Sequence, residues 1–215
     1  MSSAPEDAEL SRAVGFPVRA MPAAEMLRRS LQLLRSPLPF ATTCYPRALH
    51  DAVGGYAGGR LINPDKWFLW KVLAVSDMVY VIDHPLFDYR VHGAGQNAQE
   101  ARSGALKHLT DQYVATFNLP PNVLAKAGLG AEDIARAFVE QDIALRGLVS
   151  LAEGKRLTAR RAVRFGQAAY PDMIQRNSKV WMLRALLALG PLGTSLARIA
   201  RARVQARWAA DLDRT

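Results

Sequence analysis

The placement of proline and glycine constrains this chain more than any other feature. Beyond Gly95 the breaks fall at Leu119-Pro120-Pro121-Asn122, Glu153-Gly154-Lys155-Arg156, the Tyr170-Pro171 step and Gly190-Pro191. Proline has no amide donor and cannot continue a helix through its own position. Between these breaks the apolar residues recur at helical period, which predicts helices near 98–117, 131–152, 158–169, 171–188 and 192–209.

The first 95 residues are patterned differently. Met26, Leu27, Leu31 and Leu34 fall on one side of a helix from Pro22 to Leu34, ended by Pro37 and Pro39. Phe40 to Tyr45 reads as a short strand or extended segment. One or two helical turns follow from Arg47 to Val53, stopped by Gly54 and Gly55. After a glycine-containing loop over 56–63, Asn63 suits a cap, Pro64 the first helical position and Asp65 the positive end of a helix running to about Ser76. Met78–Ile82 and Pro85–Val91, rich in β-formers, read as two short strands or one broken strand. The expected class is therefore α+β, mostly α-helical. It divides into a mixed region over 1–97 and a helical region over 98–215.

Charge is uneven along the chain. Residues 146–215 carry 14 Lys/Arg against 4 Asp/Glu, a balance of +10; the whole chain is +9, which leaves −1 for residues 1–145. Clustered cations favour an anionic partner. The single Cys44 excludes an intramolecular disulfide or a cysteine zinc site and fits a reducing, cytoplasmic setting. The polar, acidic start MSSAPEDAELSRAVG is unlike a signal peptide.

The stretch from Phe40 to Gln99 is the most informative: FATTCYPRALHDAVGGY, then GRLINPDKWFLWKVL, then VYVIDHPLFDYRVHGAGQNAQ. In order and spacing it resembles the second half of the catalytic domain of family 2 glycosyltransferases, which have the GT-A fold. In that family an arginine-bearing segment and a Val-Gly-Gly-aromatic turn precede an acidic residue opening a helix, and a strand pair ends in Tyr-Arg-Val-His. The resemblance implies the acceptor-side part of an inverting enzyme, transferring sugar from a nucleotide sugar to a saccharide or lipid-linked acceptor, as in polysaccharide biosynthesis. It also implies a divalent cation, Mg or Mn, in the parent enzyme. The family's nucleotide-binding strands and its Asp-x-Asp motif have no counterpart before Phe40. The only literal Asp-x-Asp, Asp211-Leu212-Asp213, ends the basic stretch. This chain is therefore expected to be a truncated or split half, holding no cation alone and inactive without a nucleotide-binding partner.

Inverting transfer needs a base for the acceptor hydroxyl and positive charge on the departing diphosphate. By resemblance Asp65 is the base; a plain helix-start carboxylate is the competing reading. His92 is the implied ligand to the metal or contact to the diphosphate, or else a loop histidine. Arg90 either forks onto phosphate oxygens or bridges to Asp88. Gly54 and Gly55 either serve the turn as structure alone or, on the functional reading, shape an acceptor pocket. Arg60 in the following loop is a candidate contact for an anionic acceptor; Asn97 and Gln96 are candidate contacts for sugar hydroxyls, or else surface-loop residues. Trp67 and Trp70 have core packing or sugar stacking open to them, and Tyr89 is expected to pack. His50, His84 and His108 share no metal-ligand spacing.

The basic stretch 178–208 is interrupted by Arg184 and Gly190-Pro191, too early for a membrane span. Leu192, Leu196, Ile199 and Val204, flanked by Arg198, Arg201, Arg203 and Arg207, form a pattern suited to an anionic membrane surface. A helical subdomain with solvated arginines is the other reading. Aromatic interleaving of the kind nucleic-acid binders use is missing, so nucleic acid is not an expected partner. The alternative to the enzyme is thus a helical module that binds a membrane surface or a protein through this stretch. Either way the expected location is cytoplasmic; on the membrane reading it is peripheral at the inner membrane face.

Overall fold

A computed structural model describes residues 5–56, 64–88 and 105–212. The chain is mostly helical, with one two-stranded antiparallel sheet among the described residues. It clusters into two compact units, residues 1–102 with 117–131, and residues 103–116 with 132–215.

In the first unit, α1 (Pro5–Val14) ends at Gly15 and leads into β1 (Val18–Pro22). β1 pairs with β2 (Met78–Ile82), with Val18 opposite Ile82 and Pro22 opposite Met78. Pro22 then opens α2 (Ala23–Leu33), whose buried face carries Ala23, Met26, Leu27 and Leu31. That face packs on α4 (Pro64–Val75), which buries Phe68, Leu69, Trp70, Val72 and Leu73, and on α6 (Pro121–Ala127), which buries Val123 and Ala127. α3 (Arg47–Ala52) also packs on α4, where Leu38, Tyr45, Leu49 and Val53 meet Phe68, Leu69 and Val72.

The end of α2 shows how buried polar groups hold this core. Leu34 caps the helix in the left-handed region, at φ 48°. Glycine is the usual residue there, since a Cβ makes the conformation costly. Here the leucine side chain is buried, and its carbonyl accepts from Lys66 Nζ at 3.0 Å. Trp70 Nε1 donates to Ser30 Oγ at 2.6 Å, and Ser30 Oγ donates on to the Arg35 carbonyl. Apolar burial and satisfied polar atoms therefore offset the cost of the cap.

In the second unit, α5 (Ala105–Phe117) supplies Leu109 and Tyr113. α7 (Ala131–Phe138) runs through a π-helical stretch, Val139–Leu145, into α8 (Arg146–Ala152). α9 (Arg156–Ala169), α10 (Pro171–Arg176), α11 (Ser178–Ala188) and α12 (Pro191–Leu212) follow. Tyr113, Phe138, Phe165 and Tyr170 form an aromatic cluster at centroid distances of 5.8 to 6.1 Å. The π-helical stretch buries Asp142, whose carboxylate pairs with Arg146 at 3.0 Å.

Several local expectations are revised. Residues 40–45 contain a 3-10 turn, Phe40–Thr42, rather than a strand. Residues 85–88 are irregular, and β2 pairs with β1 from far upstream. The expected helix 171–188 is two helices, because the Asn177 side chain accepts from the Val180 amide and caps a new start. The expected break at Pro120-Pro121 is the beginning of α6, with Pro121 in its first turn, where a missing donor costs nothing.

Candidate functional site

The site is built on the junction between α3 and α4. α3 stops at Val53, and Gly54 and Gly55 follow with φ of 73° and 72°. Two consecutive left-handed residues are accessible to glycine at little cost and to few other residues. The Gly54 amide donates to the Asp51 carbonyl at 3.1 Å and the Gly55 amide to the His50 carbonyl at 2.9 Å. Gly55 also faces the His50 ring so closely that a Cβ there would lie 3.1 Å from Cε1. Lys71, on α4, donates to the Val53 carbonyl at 2.7 Å and so pins the turn to the helix. Its Nζ also lies 4.4 Å from the centre of the Trp67 ring. Burial against these groups lowers the Lys71 pKa from its ordinary value.

Phe68 is the hub of the junction. Fully buried, it has Tyr45, Tyr56, His50 and Phe40 around it at centroid distances of 5.3, 5.7, 5.8 and 6.3 Å. Phe40 and Tyr56 also contact each other, at 5.5 Å, and both keep an exposed face, at 39% and 43%. Asp65 stands in the first turn of α4, half-buried, and its charge reaches this cluster. The Tyr56 pKa is raised, first by burial and then by the negative charges of Asp65 and Tyr45. A neutral phenol that donates, a carboxylate that accepts, and an exposed aromatic edge thus share one small surface. Such a surface can hold a polyhydroxylated ligand by hydrogen bonds and by stacking on its C–H face.

Of the residues singled out from sequence, Asp65, Gly54 and Gly55 belong to this junction. Arg60, Arg90, His92 and Asn97 lie outside the described residues, as do Tyr89 and Gln96. Trp70 is a core residue, fully buried and bonded to Ser30. Trp67 is half-buried beneath Lys71. His84 stacks on Phe16 at 4.1 Å, and His108 approaches Asp142 at 3.9 Å in the second unit. The exposed aromatics Phe40 and Tyr56 and the pinning Lys71 were missed from sequence. Tyr56, the aromatic that directly follows Val53-Gly54-Gly55, was the available signal.

The basic stretch resolves into two kinds of arginine. Arg198 donates to the Ala152 carbonyl at 3.0 Å and Arg201 pairs with Glu153 at 3.2 Å, so both tie α12 to the end of α8. Leu192, Leu196 and Ile199 point the other way, 71%, 47% and 54% exposed. No helix among the described residues is long and apolar enough to cross a membrane, and no group of three or more His, Cys, Asp or Glu among them is placed to hold a metal ion. Compared with known proteins, the chain matches no family model, no curated protein and no solved structure.

Proposed function

We propose that the first 97 residues act as the acceptor-side part of a family 2-like, GT-A-type inverting glycosyltransferase. Asp65 in the first turn of α4, one turn before the Phe68 ring that Tyr56 packs on beside the Gly54-Gly55 turn, is the observation that carries this reading. The order and spacing of the sequence blocks around it support the same assignment. In the reaction, Asp65 takes the proton of the acceptor hydroxyl as its oxygen attacks the anomeric carbon. The bond from that carbon to the nucleotide diphosphate breaks with inversion, and the diphosphate leaves with the electron pair. The nucleotide sugar is held by a separate nucleotide-binding half. His92 is the proposed ligand of the Mg or Mn ion implied by the resemblance, which would supply positive charge to the departing diphosphate.

Two measurements test the proposal. The purified chain, given UDP-glucose or GDP-mannose, is expected to show no turnover; robust transfer or hydrolysis would overturn the split role. Amide resonances at 54–56 and 64–68 are expected to shift on titration with glucose, galactose, mannose or rhamnose, and less so in Phe40→Ala. Shifts absent for every sugar, or confined to 105–212, would remove the acceptor site.

A second reading is favoured by the exposed Leu192, Leu196 and Ile199, spaced four and three apart on α12. In it the helical region docks on an anionic membrane surface at its cytoplasmic face, with no catalytic role of its own.

A further inference from the structure

The arginines of the second unit differ in what they are bonded to. Arg136 pairs with Glu132, Arg146 with Asp142 and Arg201 with Glu153, while Arg156 and Arg198 donate to the Leu187 and Ala152 carbonyls. Arg160, Arg164 and Arg184 have no carboxylate partner among the described residues. These three line one shallow cavity, open to solvent, of about 340 Å³, the first two from α9 and the third from α11. Gln167 joins them, and Val163 and Leu187, both buried, form an apolar floor. Arg184 is further oriented by the Trp181 ring, 5.5 Å from its guanidinium carbon.

Like charges one helical turn apart repel, so Arg160 and Arg164 on one face cost stability unless an anion sits between them. Guanidinium forks supply several parallel N–H donors and match the tetrahedral oxygens of phosphate better than a single carboxylate. The Gln167 amide adds a neutral donor, and the apolar floor accepts a carbon body attached to the phosphate. Isolated solvated arginines would not need two helices to converge on a shared concavity.

We propose that the cavity between α9 and α11 binds a phosphate-bearing ligand, its phosphate held by Arg160, Arg164 and Arg184 and its apolar portion seated on Val163 and Leu187. The assignment is independent of the sugar-transfer reading and of the apolar face of α12. A phosphate of this kind comes either from a soluble phosphate ester or from a lipid headgroup, and two probes distinguish these sources. The full chain is titrated calorimetrically with inorganic pyrophosphate, and separately co-sedimented with phosphatidylcholine vesicles containing phosphatidic acid. Arg160→Gln, Arg164→Gln and Arg184→Gln are each compared with Arg161→Gln, which removes the same charge from α9 outside the cavity.

Saturable pyrophosphate binding, weakened about tenfold by each cavity substitution and unchanged by Arg161→Gln, supports a soluble ligand. The same pattern with vesicles alone supports a headgroup. Equal losses from Arg161→Gln and the cavity variants would show unspecific charge attraction and overturn the proposal. So would absence of binding to both probes. Circular dichroism of each variant confirms that its helices remain.

Discussion

At the scale of the residue, Tyr56 is the side chain through which Asp65 can be observed. Burial disfavours the phenolate, and the carboxylate of Asp65 adds to that, so the folded chain holds the Tyr56 proton above the ordinary tyrosine value of about 10. Asp65→Asn removes the second cause and leaves the first. Its Tyr56 ring resonances are therefore expected to titrate at lower pH than in the parent, yet still above an unperturbed tyrosine. A raised pKa means the folded state binds this proton more tightly. Tyr56 therefore takes nothing from stability below the ordinary value and removes it as pH rises from there through the folded value. If Asp65→Asn leaves the titration where it was, the carboxylate is not beside the phenol, and the site around α4 loses its base. Lys71 acts by a different route, as a strut: its bond to the Val53 carbonyl fixes the glycine turn from which Tyr56 departs.

Helix contacts in the second unit depend on three glycines that differ in what faces them. A Cβ on Gly193 would lie 1.8 Å from the Leu186 carbonyl oxygen, which is backbone and has no rotamer to give. On Gly147 it would meet Leu183 Cδ2 at 2.5 Å, and on Gly166 Ile174 Cδ1 at 2.7 Å, both far ends of side chains. Alanine gains about 1 kcal/mol over glycine inside a helix, whereas overpacking costs about 1–3 kcal/mol and more against a rigid neighbour. Gly193→Ala is accordingly expected to lose about 2 kcal/mol or more, and Gly147→Ala no more than about 1 kcal/mol, measured from urea midpoints. Equal stability of Gly193→Ala and the parent would mean that α11 and α12 do not meet as described. The same scale shows what sequence pattern can and cannot reveal. α4 was legible because Pro64 and Asp65 are local start signals, and the end of α3 because paired glycines stop a helix. α6 was not, since Pro120-Pro121 looks like a break until the second proline takes a first-turn position. β1 was hidden for another reason. Val18-Arg19-Ala20-Met21-Pro22 has no alternation of its own and becomes a strand by pairing with Met78–Ile82, about 60 residues away.

Across the whole molecule, charge was legible from composition, but its use was not. The excess lies in residues 146–215, yet Arg198 and Arg201 spend theirs on the end of α8, and Arg160, Arg164 and Arg184 theirs around a cavity. The reason is geometric: a linear pattern shows which residues share a helix face, not which neighbouring helix supplies the carbonyl or carboxylate. For a membrane surface this redistribution changes the expected chemistry of attachment. Arg198 and Arg201, two of the arginines that flank the apolar residues of α12, are bonded to protein, while Leu192, Leu196 and Ile199 are exposed. Attachment through this helix would then draw mainly on apolar insertion, and raising the salt concentration would weaken it only slightly. These side chains are 47% to 71% exposed, so insertion gains roughly 1 kcal/mol or somewhat more apiece, part of the full transfer value. Leu192→Glu together with Ile199→Glu is expected to reduce co-sedimentation with anionic vesicles about 30-fold or more, since two such terms and the added repulsion act together. Attachment through the cavity arginines would respond in the opposite sense, lost in salt and indifferent to the leucine. A double variant that sediments like the parent, or a parent that stays in solution with anionic vesicles at low salt, would leave α12 as a packing helix with an exposed apolar edge.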